Sequence, residues 1–210
     1  MRYRIVQRGE SRSFPPGDAF LSGASAEGEV VLYLGTPHAA DGSKMAILVE
    51  LGTECLGAHT GEGYGDEGSN VLGFARYRNG DDPPSRRVEL VVQPNSDPAA
   101  ILAARSVFAG AGLEVVVSAD QSGRILDRLL RPVYNAALRM LDDGLASAEA
   151  IDTTCRLGLG YPDGPIERVI RGGLARHRDI SKALFEAYGA AAFAPARRAV
   201  VAKQHAERGE

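Results

Sequence analysis

Four histidines and two cysteines are the side chains of this sequence best suited to metal or nucleophile chemistry. His38 follows GlyThrPro, and His59 stands four residues beyond Cys55 with Glu54 and Glu62 close by. A metal centre draws its ligands from recurring short spacings. None recurs here, so these residues read as ordinary loop side chains and no metal is expected. His177 and His205 carry no further signal. The run from Gly63 to Gly68 has the spacing GxGxxG. Such glycines hold a pyrophosphate when they join a strand to a helix whose free N–H groups face the phosphate. Here Asp66 and Glu67 would repel it, and SerAsnValLeuGlyPhe reads as a turn into another strand, so a surface loop is expected. Arg168, Arg171, Arg176, Arg178 and Lys182 recur at spacings that gather some of them on one helix face. That face would suit a phosphate, although a solvated helix surface has the same pattern.

The elements around these residues are clearest in the second half. Apolar pairs at Ile125 and Leu126, Leu129 and Leu130, Val133 and Tyr134, Ala137 and Leu138, then Leu141, predict a long helix with one buried face. Pro132 inside it predicts a kink. Gly144 supplies a left-handed end. Ser147 caps the next helix, whose face is Ile151, Cys155 and Leu159, and Pro165 opens a third after the break LeuGlyLeuGlyTyrProAspGly. A last helix is expected over Phe193 to Val201, interrupted by Pro195, with a frayed tail.

The first half reads as α/β. Short apolar runs predict strands at Arg2–Gln7, Glu29–Leu34, Met45–Leu51, Val71–Tyr77, Arg87–Val92 and Leu113–Ser118. Asp97 caps a helix with Pro98 at its first position, running to Gly110. Strand, helix and strand in that order imply a right-handed crossover in a mostly parallel sheet.

The 210 residues carry a formal charge of −3, which favours no nucleic-acid partner. Residues 1–120 hold 10 basic and 16 acidic side chains, and residues 121–210 hold 14 and 11, a net of −6 against +3. A domain boundary near Asp120 follows, giving domains 1–120 and 121–210. Cys55 and Cys155 suggest no disulfide framework. No secretory leader is recognisable and no apolar run reaches the roughly 18 residues that span a bilayer, so the cytoplasm and no membrane partner are expected.

The long helix, SerAlaGluAlaIleAsp at 147–152 and LeuGlyLeuGlyTyrProAspGlyPro at 157–165 resemble the C-terminal domain of the 3-hydroxyacyl-CoA dehydrogenase family. The resemblance reaches from about Val71 to about Tyr188. It implies a truncated Rossmann-like, mostly parallel sheet followed by an all-α domain. It also implies NAD as cofactor, an acyl-CoA ligand, and a homodimer formed by the helical domain.

Members of that family oxidise the 3-hydroxyl of an acyl-CoA, with a histidine paired to a glutamate taking the proton. In the segments resembling GxHFFNP and LVEV, Glu89 matches the glutamate, but Ala75 stands at the histidine's place. Between His59 and His177 there is no histidine, so sliding the register cannot restore the pair. Asp127 matches the asparagine of a segment resembling PGFIVNRLL, and an ionised aspartate accepts where asparagine also donates. Arg171 and Arg178 are the candidates for CoA phosphates. Arg2–Gln7 is followed by no glycine turn, so no cofactor-binding residue is assigned. The expectation is a divergent relative without independent hydride transfer, retaining an acyl-CoA-binding or structural role. The alternatives are an active dehydrogenase with an atypical cofactor site, or a subunit completed by a partner.

Overall fold

The structure, a computed structural model, describes residues 1–61 and 68–209. Of the Gly63–Gly68 run only Gly68 lies within them. The chain divides into two compact units, residues 1–78 with 83–124 and residues 79–82 with 125–210.

The first unit is a Rossmann-like mixed sheet. Its strands are β1 (Tyr3–Gln7), β2 (Val30–Leu34), β3 (Ala46–Glu50), β4 (Val71–Arg76), β5 (Arg87–Val92) and β6 (Glu114–Ala119), side by side in chain order. Every pairing is parallel except β4 with β5. The runs ValValLeuTyrLeu and AlaIleLeuValGlu are almost wholly buried, as strands covered on both faces must be. The helices α1 (Ala19–Ser22) and α2 (Gly57–Thr60) are single turns. α3 (Pro98–Gly110) makes the expected crossover between β5 and β6; Asp97 accepts from the Ala99 N–H at 2.8 Å.

One sheet face packs Leu32, Leu48, Leu72 and Leu90 against Phe108 of α3. The other packs Ile47, Val49, Val71 and Val91 against Leu51 and Leu56. Along β5 the side chains alternate between them, so Glu89 lies on the second face with Val91.

The second unit is all helical: α4 (Ile125–Asp142), α5 (Ala148–Leu159), α6 (Pro165–Arg171), α7 (Leu174–Tyr188) and α8 (Arg197–Arg208), with a 3₁₀ turn at Ala191–Phe193. Gly144 follows α4 at φ 69°, and Ser147 accepts from the Ala150 N–H at 3.2 Å. Asp152 of α5 binds the Ile166 and Glu167 N–H groups at 2.8 and 3.0 Å, capping α6 where Gly164 has no side chain to do so.

Three expectations are corrected. The buried face of α4 is Arg131, Tyr134, Asn135, Ala137 and Leu138, while Ile125, Leu126 and Leu129 are exposed. The face of α5 narrows to Ile151, and Leu159 is exposed. The last helix begins after Pro195 and runs to Arg208, so the tail through 208 is ordered helix, with proline where the chain turns into it. Among the described residues, no helix is long and apolar enough to cross a membrane.

Candidate functional site

Ligands of open α/β sheets bind where the strands' carboxyl ends leave a crevice. In the first unit the chain itself crosses that edge. After β1, Arg8 donates its N–H to Leu34 O, and Gly9 passes so close to Gly35 that a Cβ there would lie 3.1 Å from the Gly35 carbonyl oxygen. Glu50, at the end of β3, accepts from the Ser11 hydroxyl at 2.9 Å and the Ser13 N–H at 2.8 Å. Arg76, at the end of β4, donates to the Ser13 carbonyl at 2.9 Å and to Asp18 at 2.7 Å. Phe14 then descends fully buried, stacked 4.2 Å from Phe20, with the Arg76 guanidinium 4.9 Å above its ring. The strap Ser11–Phe14 thus spans the ends of β3 and β4, held there by the hydrogen bonds of Ser11 and Ser13.

Glu89 faces Ala75 directly across the antiparallel β4–β5 pair. Residues so placed share a sheet face with Cβ atoms about 4.5–5.5 Å apart. The Glu89 carboxylate accepts from the Ser118 hydroxyl at 3.0 Å and stands 4.0 Å from the Arg124 guanidinium. Both charged side chains are largely buried, and Arg124 is further tied to the Glu54 carbonyl at 3.1 Å. A guanidinium has donors only, so this neighbour cannot relay a proton as an imidazole does.

Asp127 lies in the first turn of α4 and accepts twice from Arg131, at 2.6 and 2.9 Å. Arg131 leads inward to a polar group that the sequence reading passed over. His177 is fully buried, with Nδ1 3.4 Å from Arg131 and Nε2 2.9 Å from Asn135 Oδ1. Asn135 donates to the Ala192 carbonyl at 3.1 Å, so its Oδ1 is the acceptor and His177 carries its proton on Nε2. Burial first, and the Arg131 charge second, lower the His177 pKa to about 3, keeping the ring neutral. The signal was present: Asp127, Arg131 and Asn135 recur every four residues down an otherwise apolar stripe.

The basic cluster is divided. Arg171 ends α6, and glycines 172 and 173 separate it from Arg178 on α7. Arg171 pairs with Asp82 at 3.1 Å, with Glu167 at 3.4 Å and with Asp163, and Arg178 pairs with Asp179 at 3.0 Å. In the first unit the rings of His38 and His59 lie 6.4 Å apart, and Glu54 is 3.5 Å from His59. Among the described residues no three His, Cys, Asp or Glu side chains form a metal-holding group.

Residues 123–210 match the family model of the 3-hydroxyacyl-CoA dehydrogenase C-terminal domain. The chain resembles the 3-hydroxyacyl-CoA dehydrogenase family. It is 33% identical over 113 residues to a 3-hydroxybutyryl-CoA dehydrogenase of Bradyrhizobium diazoefficiens, covering 54% of this chain and 39% of the relative. With the human mitochondrial hydroxyacyl-coenzyme A dehydrogenase it shares 35% over 92 residues, 44% of this chain and 29% of that protein. The chain therefore spans well under half the length of either relative.

In fold it is similar to FadB2 of M. tuberculosis, with a TM-score of 0.72 at 21% identity over 88% of this chain and 67% of that one. PaaH1, the (S)-3-hydroxybutyryl-CoA dehydrogenase of Ralstonia eutropha, gives 0.69 at 18% identity over 86% and 66%. A Rossmann-like sheet followed by an all-helical region is the architecture of 3-hydroxyacyl-CoA dehydrogenases, and this chain has it. In the first unit this chain brings Glu89 together with Ala75, Ser118 and Arg124.

Proposed function

We propose that this chain is a 3-hydroxyacyl-CoA dehydrogenase-like protein without independent NAD-dependent hydride transfer, keeping an acyl-CoA-binding or structural role as a homodimer. The observation that carries this reading is the strap. A dinucleotide site needs a glycine turn leading from the first strand to a helix N-terminus, with the carboxyl edge open beside it. After β1 this chain has ArgGlyGluSerArgSerPhe, which fills that edge, and the following helix is only Ala19–Ser22. The residues that follow β1 do not form such a site.

The Glu89 surroundings support the same reading. Losing a general base alone lowers a rate by roughly 10² to 10⁴, whereas losing the hydride acceptor leaves nothing to carry the electrons. A homodimer accords with the exposed apolar run Ile125, Leu126 and Leu129 on α4. For acyl-CoA, Arg171 and Arg178 remain the phosphate candidates, and a phosphate would compete there with the carboxylates they now hold.

The deciding experiment titrates the protein into NADH, following cofactor fluorescence with and without acetoacetyl-CoA. No saturable change is expected in either condition. Saturable NADH binding would reject the reading and restore a dehydrogenase with an atypical site. Acetoacetyl-CoA binding measured by calorimetry then separates the two remaining roles; if Arg171→Glu with Arg178→Glu leaves that affinity unchanged, the arginines drop out.

A further inference from the structure

α8 is seated with little apolar burial. Of its twelve residues Ala199 alone is buried. Its ion pairs, Arg198 with Asp142 at 2.6 Å and Lys203 with Asp179 at 2.8 Å, are exposed to solvent, where such pairs contribute little. The segment leading into it is held by side chains of α4. Asn135 accepts from the Ala196 N–H at 3.2 Å and donates to the Ala192 carbonyl at 3.1 Å. Arg139 donates to the Ala191 carbonyl at 3.4 Å and to that of Ala194. Turned over, the Asn135 amide would set N–H against N–H at Ala196 and oxygen against oxygen at Ala192. Its orientation therefore decides whether the chain entering α8 is held.

That orientation is dictated from the first turn of α4. Arginine has donors only, so the Arg131 guanidinium, 3.4 Å from His177 Nδ1, requires Nδ1 to be an acceptor. The one proton of the neutral ring then sits on Nε2, 2.9 Å from Asn135 Oδ1, which must accept in its turn. Arg131 is itself held by Asp127, whose Oδ1 takes both Nε and Nη2. Arg131, His177 and Asn135 are buried, so bulk water does not replace a lost partner. Asp127 lies between the exposed Leu126 and Arg128. We propose that Asp127, Arg131, His177 and Asn135 are a relay of fixed polarity through which the first turn of α4 controls the seating of α8. Whatever draws Asp127 away from Arg131 lets the guanidinium leave Nδ1. The imidazole tautomer and the Asn135 amide are then free to reverse, which releases Ala192 and Ala196. The relay lies wholly within the helical unit and holds whether or not the chain binds an acyl-CoA.

Hydrogen exchange of the full chain, followed amide by amide by NMR, tests the relay. Asp127→Asn keeps the shape of the side chain but not its charge, and Arg131→Lys keeps the charge but not the fork that reaches two partners. Each is expected to speed exchange of the Ala196 amide and of the α8 amides at least tenfold, while the α5 amides change less than twofold. Ser147→Ala, which removes the cap of α5, is expected to do the reverse. The imidazole nitrogen shifts of the wild type should show His177 neutral with its proton on Nε2, and Asp127→Asn should move them. Far-UV circular dichroism checks that each variant is folded. Unchanged Ala196 exchange in Asp127→Asn, an equal response to Ser147→Ala, or a His177 proton on Nδ1 would overturn the proposal.

Discussion

Glu89 and Asp127 each hold an arginine rather than a proton acceptor, and each arginine is buried more deeply than its carboxylate. Removing one partner of such a pair leaves a charge unpaired in a poor solvent, which is costlier than the pair is favourable. Arg124→Met is therefore expected to destabilise the first unit by about 3–5 kcal/mol, read as a lower urea midpoint, with Glu89→Gln partly restoring it. His177 makes a pH prediction. Its folded pKa of about 3 lies below the ordinary value of 6.5, so the unfolded chain binds the extra proton between those values. Its contribution is complete above pH 6.5 and is lost as pH falls toward 3, at up to ~1.4 kcal/mol per pH unit. His38, lowered by burial and by His59, acts with the same sign. Urea midpoints between pH 7 and 5 should fall for the wild type and fall less for His177→Gln. Arg124 and His177 reach their partners across 35 and 46 residues of chain, so neither pairing was legible from residue types alone.

The elements were largely readable because their end signals are local. Asp97 with Pro98, Gly144, Ser147 and Pro165 act within a turn of where they stand in sequence, and each marks a boundary found in the structure. The strap was not readable, since nothing in SerArgSerPhe announces Glu50 and Arg76 as anchors. Phe14→Ala is expected to cost about 3–5 kcal/mol, as for a large buried aromatic, measured by chemical denaturation. Within the helical unit, Asp152→Ala removes two hydrogen bonds to a charged acceptor, each worth about 1.5–3 kcal/mol. It should speed hydrogen exchange of the α6 amides well before those of α4. The α4 face was misassigned for a related reason. Periodicity locates a helix, but polar residues that satisfy one another inside can displace apolar ones from the buried stripe.

At the scale of the whole molecule, each unit has its own apolar packing, on both faces of the sheet in the first and under α4 in the second. The Rossmann-like sheet and the helical region were legible in the sequence because alternating burial, helix periodicity and capping residues are properties of short windows. So was the resemblance to 3-hydroxyacyl-CoA dehydrogenases, which lives in contiguous motifs. If the homodimer uses α4, Leu126→Glu with Leu129→Glu should lower the mass seen by light scattering while leaving the melting profile nearly unchanged, because both residues face solvent within one chain. The sequence by itself determined the elements, their order and the absence of histidine between His59 and His177. Only the tertiary structure decided that the carboxyl edge is filled from within and that Glu89 and Asp127 are bound to arginines. These outcomes depend on which distant segments meet, and no local pattern specifies that.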